Sequence, residues 1–353
     1  MNASATTGVR RLVRCTVGSE TYCIDNDWLD SIQVVENLYP SRSADGSIGW
    51  IRRFDEKVPV YRLADQVYGG ASRGPSRQGV IMVLRRNDRL WALLVDKVTA
   101  GGDVAADRVF ALPEVVGDAA TGYFPGVVLD ERGIMLYLAP ERLVSFAVSG
   151  IPRPARAEVR SSPVSRVRDS IAEHATESPA EQQKNAQGPE LRKAGRQIIT
   201  FTLMHEQALP APVRFAVSAG QAVEIVSELP MIHVPHAPFF VLGVANWRSL
   251  PIPVIDLAAW LGLTPAPFTS GCRLLLCRGT MTRAGRDPGL IAIPAVDDIH
   301  KLDLPIEYKP WTEAVRWNES LALGIYRADR AMMVVPDLDA ILSFQAATSD
   351  YRM

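Results

Sequence analysis

Residues 49–68 read GWIRRFDEKVPVYRLADQVY, and residues 243–262 read GVANWRSLPIPVIDLAAWLG. Laid over one another without a gap, Gly49 meets Gly243, Val58-Pro59-Val60 meets Ile252-Pro253-Val254, and Leu63 meets Leu257, an offset of 194. Two more stretches repeat in the same order. Leu94-Val95-Asp96-Lys97-Val98 resembles Ala295-Val296-Asp297-Asp298-Ile299 at an offset of 201. Residues 126–146 (GVVLDERGIMLYLAPERLVSF) match residues 324–344 (GIYRADRAMMVVPDLDAILSF) at an offset of 198. Matches that keep their order and nearly keep their spacing mark a duplicated module with small insertions.

Between the copies the composition changes. Residues 151–196 hold five prolines and no Phe, Trp or Tyr, within a dense mix of charge, Ala, Ser and Gln. Such a stretch buries too little apolar surface to offset the entropy of ordering it. The expected organisation is therefore a first domain over 8–148, a flexible linker over 149–196 and a second domain over 197–346. A coil of the linker's length separates its ends by roughly 35–40 Å. Val164, Val167 and Ile171 follow helical spacing inside it, which allows a short recognition helix as an alternative to plain solvated coil.

Inside each copy the pattern is one of short strands and turns, so the fold class is mainly β. Val80-Ile81-Met82-Val83-Leu84 and residues 90–95 flank a polar turn, as a hairpin does. Residues 273–277 and 290–293 form the matching pair in the second copy, and residues 129–138 contain another hairpin turning at 130–133. Apolar runs this short and this rich in Val, Ile and Leu suit strands buried on both faces of small barrels. Pro294, inside LIAIPAV, suggests an edge strand. One short helix is expected over 256–262, with Asp256 capping its start, Leu257, Trp260 and Leu261 on its apolar side and Gly262 ending it.

The bulk numbers exclude several classes of function. At 353 residues the chain has room for two or three domains. Lys plus Arg (38) nearly balances Asp plus Glu (39), so no global field draws in a polyanion or an acidic membrane. The N-terminal Arg pair has no apolar region behind it, and no apolar run reaches the length of a membrane span, which predicts a cytoplasmic protein. Cys15 and Cys23 flank a turn-like Gly18-Ser19-Glu20 and are read as small buried side chains, with a facing redox pair as the lesser alternative.

Enzyme signatures fail in context. Gly70-Ala71-Ser72-Arg73-Gly74 fits a nucleophile elbow, yet it runs into Pro75 where that elbow needs a helix. His233 and His236 are spaced i, i+3, but Pro235 and Pro238 exclude the helix that would align them, and the two are expected at the solvent edge of an extended connection. No Cys pair has zinc-ligand spacing near them, and no phosphate-cradling glycine motif occurs, so neither metal nor cofactor is expected. What remains is surface chemistry. Asn246-Trp247-Arg248 sits where a strand should turn before Pro251-Ile252-Pro253, and an arginine there presents a rigid fork to a partner carboxylate.

Residues 241–263, VLGVANWRSLPIPVIDLAAWLGL, resemble the signature of the CheW family of chemotaxis coupling proteins. Gly243, Asn246, Arg248, Ile252, Pro253, Val254, Asp256 and Leu257 match it, and Val223-Glu224-Ile225-Val226 resembles an upstream strand of the family. In the first copy, residues 93–98 followed by Ala111-Leu112-Pro113 are similar to the family's second barrel. The resemblance implies two modules, each a pair of small SH3-like five-stranded β-barrels, and no catalysis. It implies an adaptor between the regulatory domain of a CheA-type histidine kinase and the cytoplasmic tip of methyl-accepting chemoreceptors, touching a membrane only through the receptors. By the same resemblance Glu224, Asn246 and Arg248 face the partner. Ser249 replaces the family's glycine, and the first copy carries Arg52, Phe54, Asp55 and Arg62 at the polar signature positions, so it keeps the frame and changes the binding chemistry. A small-barrel nucleic-acid binder is the alternative. It predicts a basic groove with aromatic platforms, which the near-zero charge disfavours.

Overall fold

The computed structural model describes residues 9–41, 46–68, 78–117, 120, 122–131, 133–143, 197–203, 213–263, 273–280, 289–303, 322–328 and 331–344. The linker with its candidate helix, the Gly70–Gly74 motif, His174 and His205 lie outside these residues. The first copy opens with β1 (Val9–Val17) and β2 (Glu20–Asp25). It then crosses into a second barrel through β3 (Leu29–Val34), β4 (Tyr39–Pro40), β5 (Gly49–Arg53), β6 (Glu56–Arg62), helix α1 (Leu63–Tyr68), β7 (Val80–Arg86) and β8 (Arg89–Val95). It returns with β9 (Lys97–Ala105), β10 (Val109–Ala111), β11 (Gly126–Asp130) and β12 (Gly133–Tyr137). The two sheets run β10-β11-β12-β2-β1-β9 and β3-β7-β8-β6-β5-β4, each curled as a small SH3-like barrel. The sixth strand is a stub in both, three residues in β10 and two in β4.

The second copy follows the same path. It has β13 (Gln197–Thr202), β14 (Val213–Ser218), β15 (Ala222–Val226), β16 (Met231–Ile232), β17 (Val241–Trp247), β18 (Leu250–Ile255) and helix α2 (Leu257–Trp260). It closes with β19 (Arg273–Arg278), β20 (Leu290–Asp303), β21 (Ala322–Ala328), β22 (Ala331–Pro336) and helix α3 (Leu338–Leu342). The rare parallel pairings recur at matching places: β12 with β2 and β22 with β14, β6 with β8 and β18 with β20. Core positions recur too. Ile51, Val58 and Val60 stand 194 positions before Ala245, Ile252 and Val254 in the two equivalent cores, and Ala92 stands 200 before Ala292. Because Val60 faces Ala92 as Val254 faces Ala292, strand pairing moves the 201-residue correspondence of the sequence by one position.

Several local expectations meet a definite outcome. The 80–95 hairpin turns at Asn87-Asp88, both at positive φ, as a two-residue I′ turn requires. At α2 the Asp256 carboxylate accepts the Ala259 amide at 3.0 Å, and Leu263 N–H and Gly262 N–H close back on Ala258 and Ala259, a Schellman ending with Gly262 at φ +79°. Pro294 is not on an outer edge. β20 pairs with β18 only at Ala292 and with β13 from Val296 on, so Pro294 falls where the strand passes from one barrel to the other. There it has β19 on one side, and its missing N–H costs no ladder bond on the other. The cysteines do not face each other: Cys15 pairs with Tyr22 and Cys23 with Arg14, which sends the two thiols to opposite faces and into separate cores. Burial pushes the Cys15 thiol up to about 12, so it stays protonated and inert.

The repeated glycine at 49 and 243 has a steric reason. A Cβ on Gly49 would lie closer than 3.0 Å to the Tyr39 carbonyl oxygen, and one on Gly243 equally close to that of Ile232. Only glycine lets β4 and β16 cross over the starts of β5 and β17. Gly243→Ala is expected to destabilise the second module by about 1–3 kcal/mol, the usual cost of overpacking against backbone. Urea unfolding checks this, and Gly49→Ala should do the same to the first.

Candidate functional site

β17 and β18 meet at the two-residue turn Arg248-Ser249, with Trp247 opposite Leu250. Both turn residues adopt positive φ, +51° and +64°, the I′ geometry whose twist matches the flanking strands. Neither residue is glycine, so the turn carries left-handed strain of about 1 kcal/mol per residue. The Ser249 replacement of the family glycine is thus a costly one. A carboxylate on another strand meets the turn. Glu224 projects from β15 beside an irregularity in its pairing with β19. Its Oε2 accepts from Arg248 Nη2 at 2.9 Å and from the Trp247 indole N–H at 3.0 Å. The Arg248 guanidinium also lies 4.9 Å over the Trp247 ring. The Arg248 side chain is 69% exposed, so the ion pair adds little stability and serves to aim the fork.

Of the three residues expected to face a partner, the structure joins Glu224 and Arg248 and separates Asn246. Trp247 and Ala245 point into the barrel core, so Asn246 shares the opposite face with Val244. Its N–H donates to Pro230 O at 2.9 Å, and its Oδ1 is buried with no hydrogen-bond partner among the described residues. Sequence reading missed Trp247 as the second donor to Glu224. It also missed the apolar flanks, Ile225 at 43% and Leu250 at 45% exposure, although alternation from Glu224 and the turn position of Leu250 were there to be used.

The first copy rebuilds this corner with other residues. Arg53 stands at the place of Trp247, and its Nε donates to Asp30 at 3.1 Å. Arg85 reaches the same carboxylate at 2.6 Å. Burial alone would raise the Asp30 pKa, but the two guanidiniums outweigh it and hold it below the usual range. Phe54 occupies the place of Arg248, at φ +52° and 76% exposed, with the Arg53 guanidinium 4.5 Å over its ring. At the capping-Asp position, Arg62 is buried beside Asp65 at 3.6 Å. An exposed fork in one copy is an exposed aromatic in the other.

The histidines part company as well. His233 is exposed, as expected of a solvent edge. His236 is not at such an edge: its ring stacks on Tyr123 of the first copy, centroids 4.8 Å apart, and hydrogen-bonds to the Val67 backbone. Its Nε2 is buried without a partner among the described residues. Burial holds its pKa below the imidazole range, with the Val67 bond opposing. Among the described residues no group of His, Cys, Asp and Glu is placed to hold a metal, and no helix is long and apolar enough to cross a membrane.

The CheW-like domain profile matches residues 11–148 and 197–346. The Rhizobium etli protein described as "Probable chemotaxis protein CheW" is 28% identical over 153 residues, 43% of this chain and 91% of that protein. "Chemotaxis protein CheW" of Rhizobium meliloti (strain 1021) is 28% identical over 152 residues, 43% of this chain and 90% of that protein. Among solved structures, the scaffolding protein TtCheW from Thermoanaerobacter tengcongensis aligns at TM-score 0.34 and 20% identity, covering 45% of this chain and 97% of that one.

Two outcomes follow from this geometry. Ser249→Gly is expected to exceed Ser249→Ala in unfolding free energy by about 1 kcal/mol, since both lose the hydroxyl and only alanine keeps the left-handed strain. A neutral, low-pKa His236 means the unfolded chain takes up its proton first as pH falls. The stability it contributes is complete above the unfolded value of about 6.5 and is lost as pH drops through that value toward the folded one. The urea midpoint should therefore fall between pH 7.5 and 5.5 in the parent and fall less in His236→Asn, with His233, also lowered by burial, leaving a residual slope.

Proposed function

The chain belongs to the CheW-like domain family, twice over, and on that premise we propose that it is a non-enzymatic coupling scaffold of a chemotaxis-type signalling array. It joins the regulatory domain of a CheA-type histidine kinase to the cytoplasmic tips of methyl-accepting chemoreceptors. The observation that carries this reading is the family match over both copies, together with an Arg248 fork held outward by Glu224 in the second. Such a fork, pre-aimed and flanked by exposed Ile225 and Leu250, suits a partner surface that pairs a carboxylate with an apolar rim. The first module, over 8–148, offers Phe54 in its place and so addresses a different surface. Two modules on one chain raise each other's effective concentration at adjacent sites of an array. The protein works in the cytoplasm, where kinase and receptor tips meet. The nucleic-acid alternative draws no support from the relatives.

The test is binding of the full chain to a purified CheA-type regulatory domain and to a receptor cytoplasmic fragment, each from the same cell. Arg248→Ala is expected to weaken one of the two about tenfold, the loss typical of an arginine anchor, while the urea midpoint stays near that of the parent. If the parent chain retains neither partner, the coupling reading falls.

A further inference from the structure

The buried contact between the modules puts a residue of the first beside the partner-facing turn of the second. β12 of the first module lies against β16 and β17, and Val116, Leu136 and Leu138 share one apolar cluster there with Ile232, Val234 and Val244. A seam closed by packed, buried side chains does not slide, so whatever projects from its edge has a set position. What projects is Arg108. It ends the short 3-10 turn Ala106–Arg108, which packs on β11 and leads directly into β10. Its Nη1 donates to Ser249 Oγ at 3.3 Å.

Arg108, Arg248 and Ser249 all remain exposed with the modules in contact. Seating of the first module therefore leaves the turn open and adds to it. Guanidiniums from different modules now stand at adjacent turn residues, whose Cα atoms are about 3.8 Å apart. Their states differ. Arg248 donates to Glu224 and lies over Trp247, so part of its charge is answered within the second module. Arg108 donates to a neutral hydroxyl and has no carboxylate partner among the described residues, the exposed Asp107 beside it included. A guanidinium carries several N–H donors, which leaves Arg108 able to bind a carboxylate while Ser249 keeps hold of it.

We propose that the partner site of the second module is composite: Arg108 of the first module binds the partner together with Arg248, and Ser249 is the clasp that positions it. The surface that fits is a protein face with a carboxylate for each guanidinium, set about an apolar centre that meets exposed Ile225 and Leu250. A lone module presents the Arg248 fork without this neighbour, so the second cation separates the surface of the tandem chain from that of a single module. It also gives Ser249 a use that glycine cannot supply, since the hydroxyl is what holds Arg108 at the turn. The proposal rests on the coupling reading above and adds a residue to that same site.

The experiment measures the affinity of the full chain for the CheA-type regulatory domain and for the receptor cytoplasmic fragment at low ionic strength. Arg108→Gln, which can still donate to Ser249 but carries no charge, is compared with Arg108→Lys, which keeps the charge. Against the partner that Arg248→Ala weakens, Arg108→Gln is expected to lose about fivefold and Arg108→Lys less than about twofold. The deficit of Arg108→Gln should shrink toward parity as salt is raised to about 0.5 M, where exposed charges are screened. The other partner should bind all of these forms alike. Equal losses in Arg108→Gln and Arg108→Lys, indifferent to salt, mark a merely structural role and overturn the proposal. Parent-like affinity of Arg108→Gln for both partners overturns it too and leaves coupling standing. A parent chain that binds neither partner sinks the coupling reading, and the composite site with it.

Discussion

The carbonyl oxygens of Tyr39 and Ile232 press onto Gly49 and Gly243 so closely that no side chain fits between. From that crossing the geometry of each module follows. It fixes the short strand over the start of the hairpin, and hence the register of β5 with β6 and of β17 with β18, since a slip of one residue would turn every side chain to the wrong face. In the second copy the register puts Trp247 inside and Arg248 at the tip, within reach of Glu224. In the first it puts Arg53 within reach of Asp30 and leaves Phe54 at the tip. The frame is one, and the chemistry at its end is free to differ.

Features governed by local chemistry were legible in the sequence. The hairpin at 80–95, the Asp256 cap and the Gly262 stop each rest on residues a few positions apart, where turn and cap preferences act directly. The duplication was legible because apolar core positions and the crossing glycine must be kept for the barrels to close. What depended on a third strand or on the other module was not. Glu224 meets Trp247 across 23 residues of chain, and His236 meets Tyr123 from another module. No periodicity encodes such meetings. The same limit explains Pro294 and the cysteine pair. A proline reads as an edge until it is known that the strand changes barrels there, and a facing pair stays open as the lesser reading of two cysteines around a turn until register sends them to opposite faces.

Asymmetry between the modules has a physical basis in their tips. A left-handed non-glycine turn residue is strained, and each copy surrounds it with different chemistry. The second uses a carboxylate shared by an indole N–H and a guanidinium, leaving the charged fork exposed. The first pairs Arg53 and Arg85 with Asp30 and places the exposed Phe54 ring at the turn, beside exposed Asp55, Glu56 and Lys57.

Strain at the second tip also bears on why the first module sits beside it. Arg248 and Ser249 both occupy the left-handed region, and the Glu224 ion pair is too exposed to offset much of that. The Arg108 hydrogen bond to Ser249 and the burial of Val244 stabilise the hairpin from its other face. A glycine at 249 would relieve the backbone and remove the hydroxyl that Arg108 grips, making the tip more stable alone and less tied to its neighbour. Serine there trades intrinsic stability for a contact between modules. The residue that departs from the family pattern is one of those through which the two copies touch.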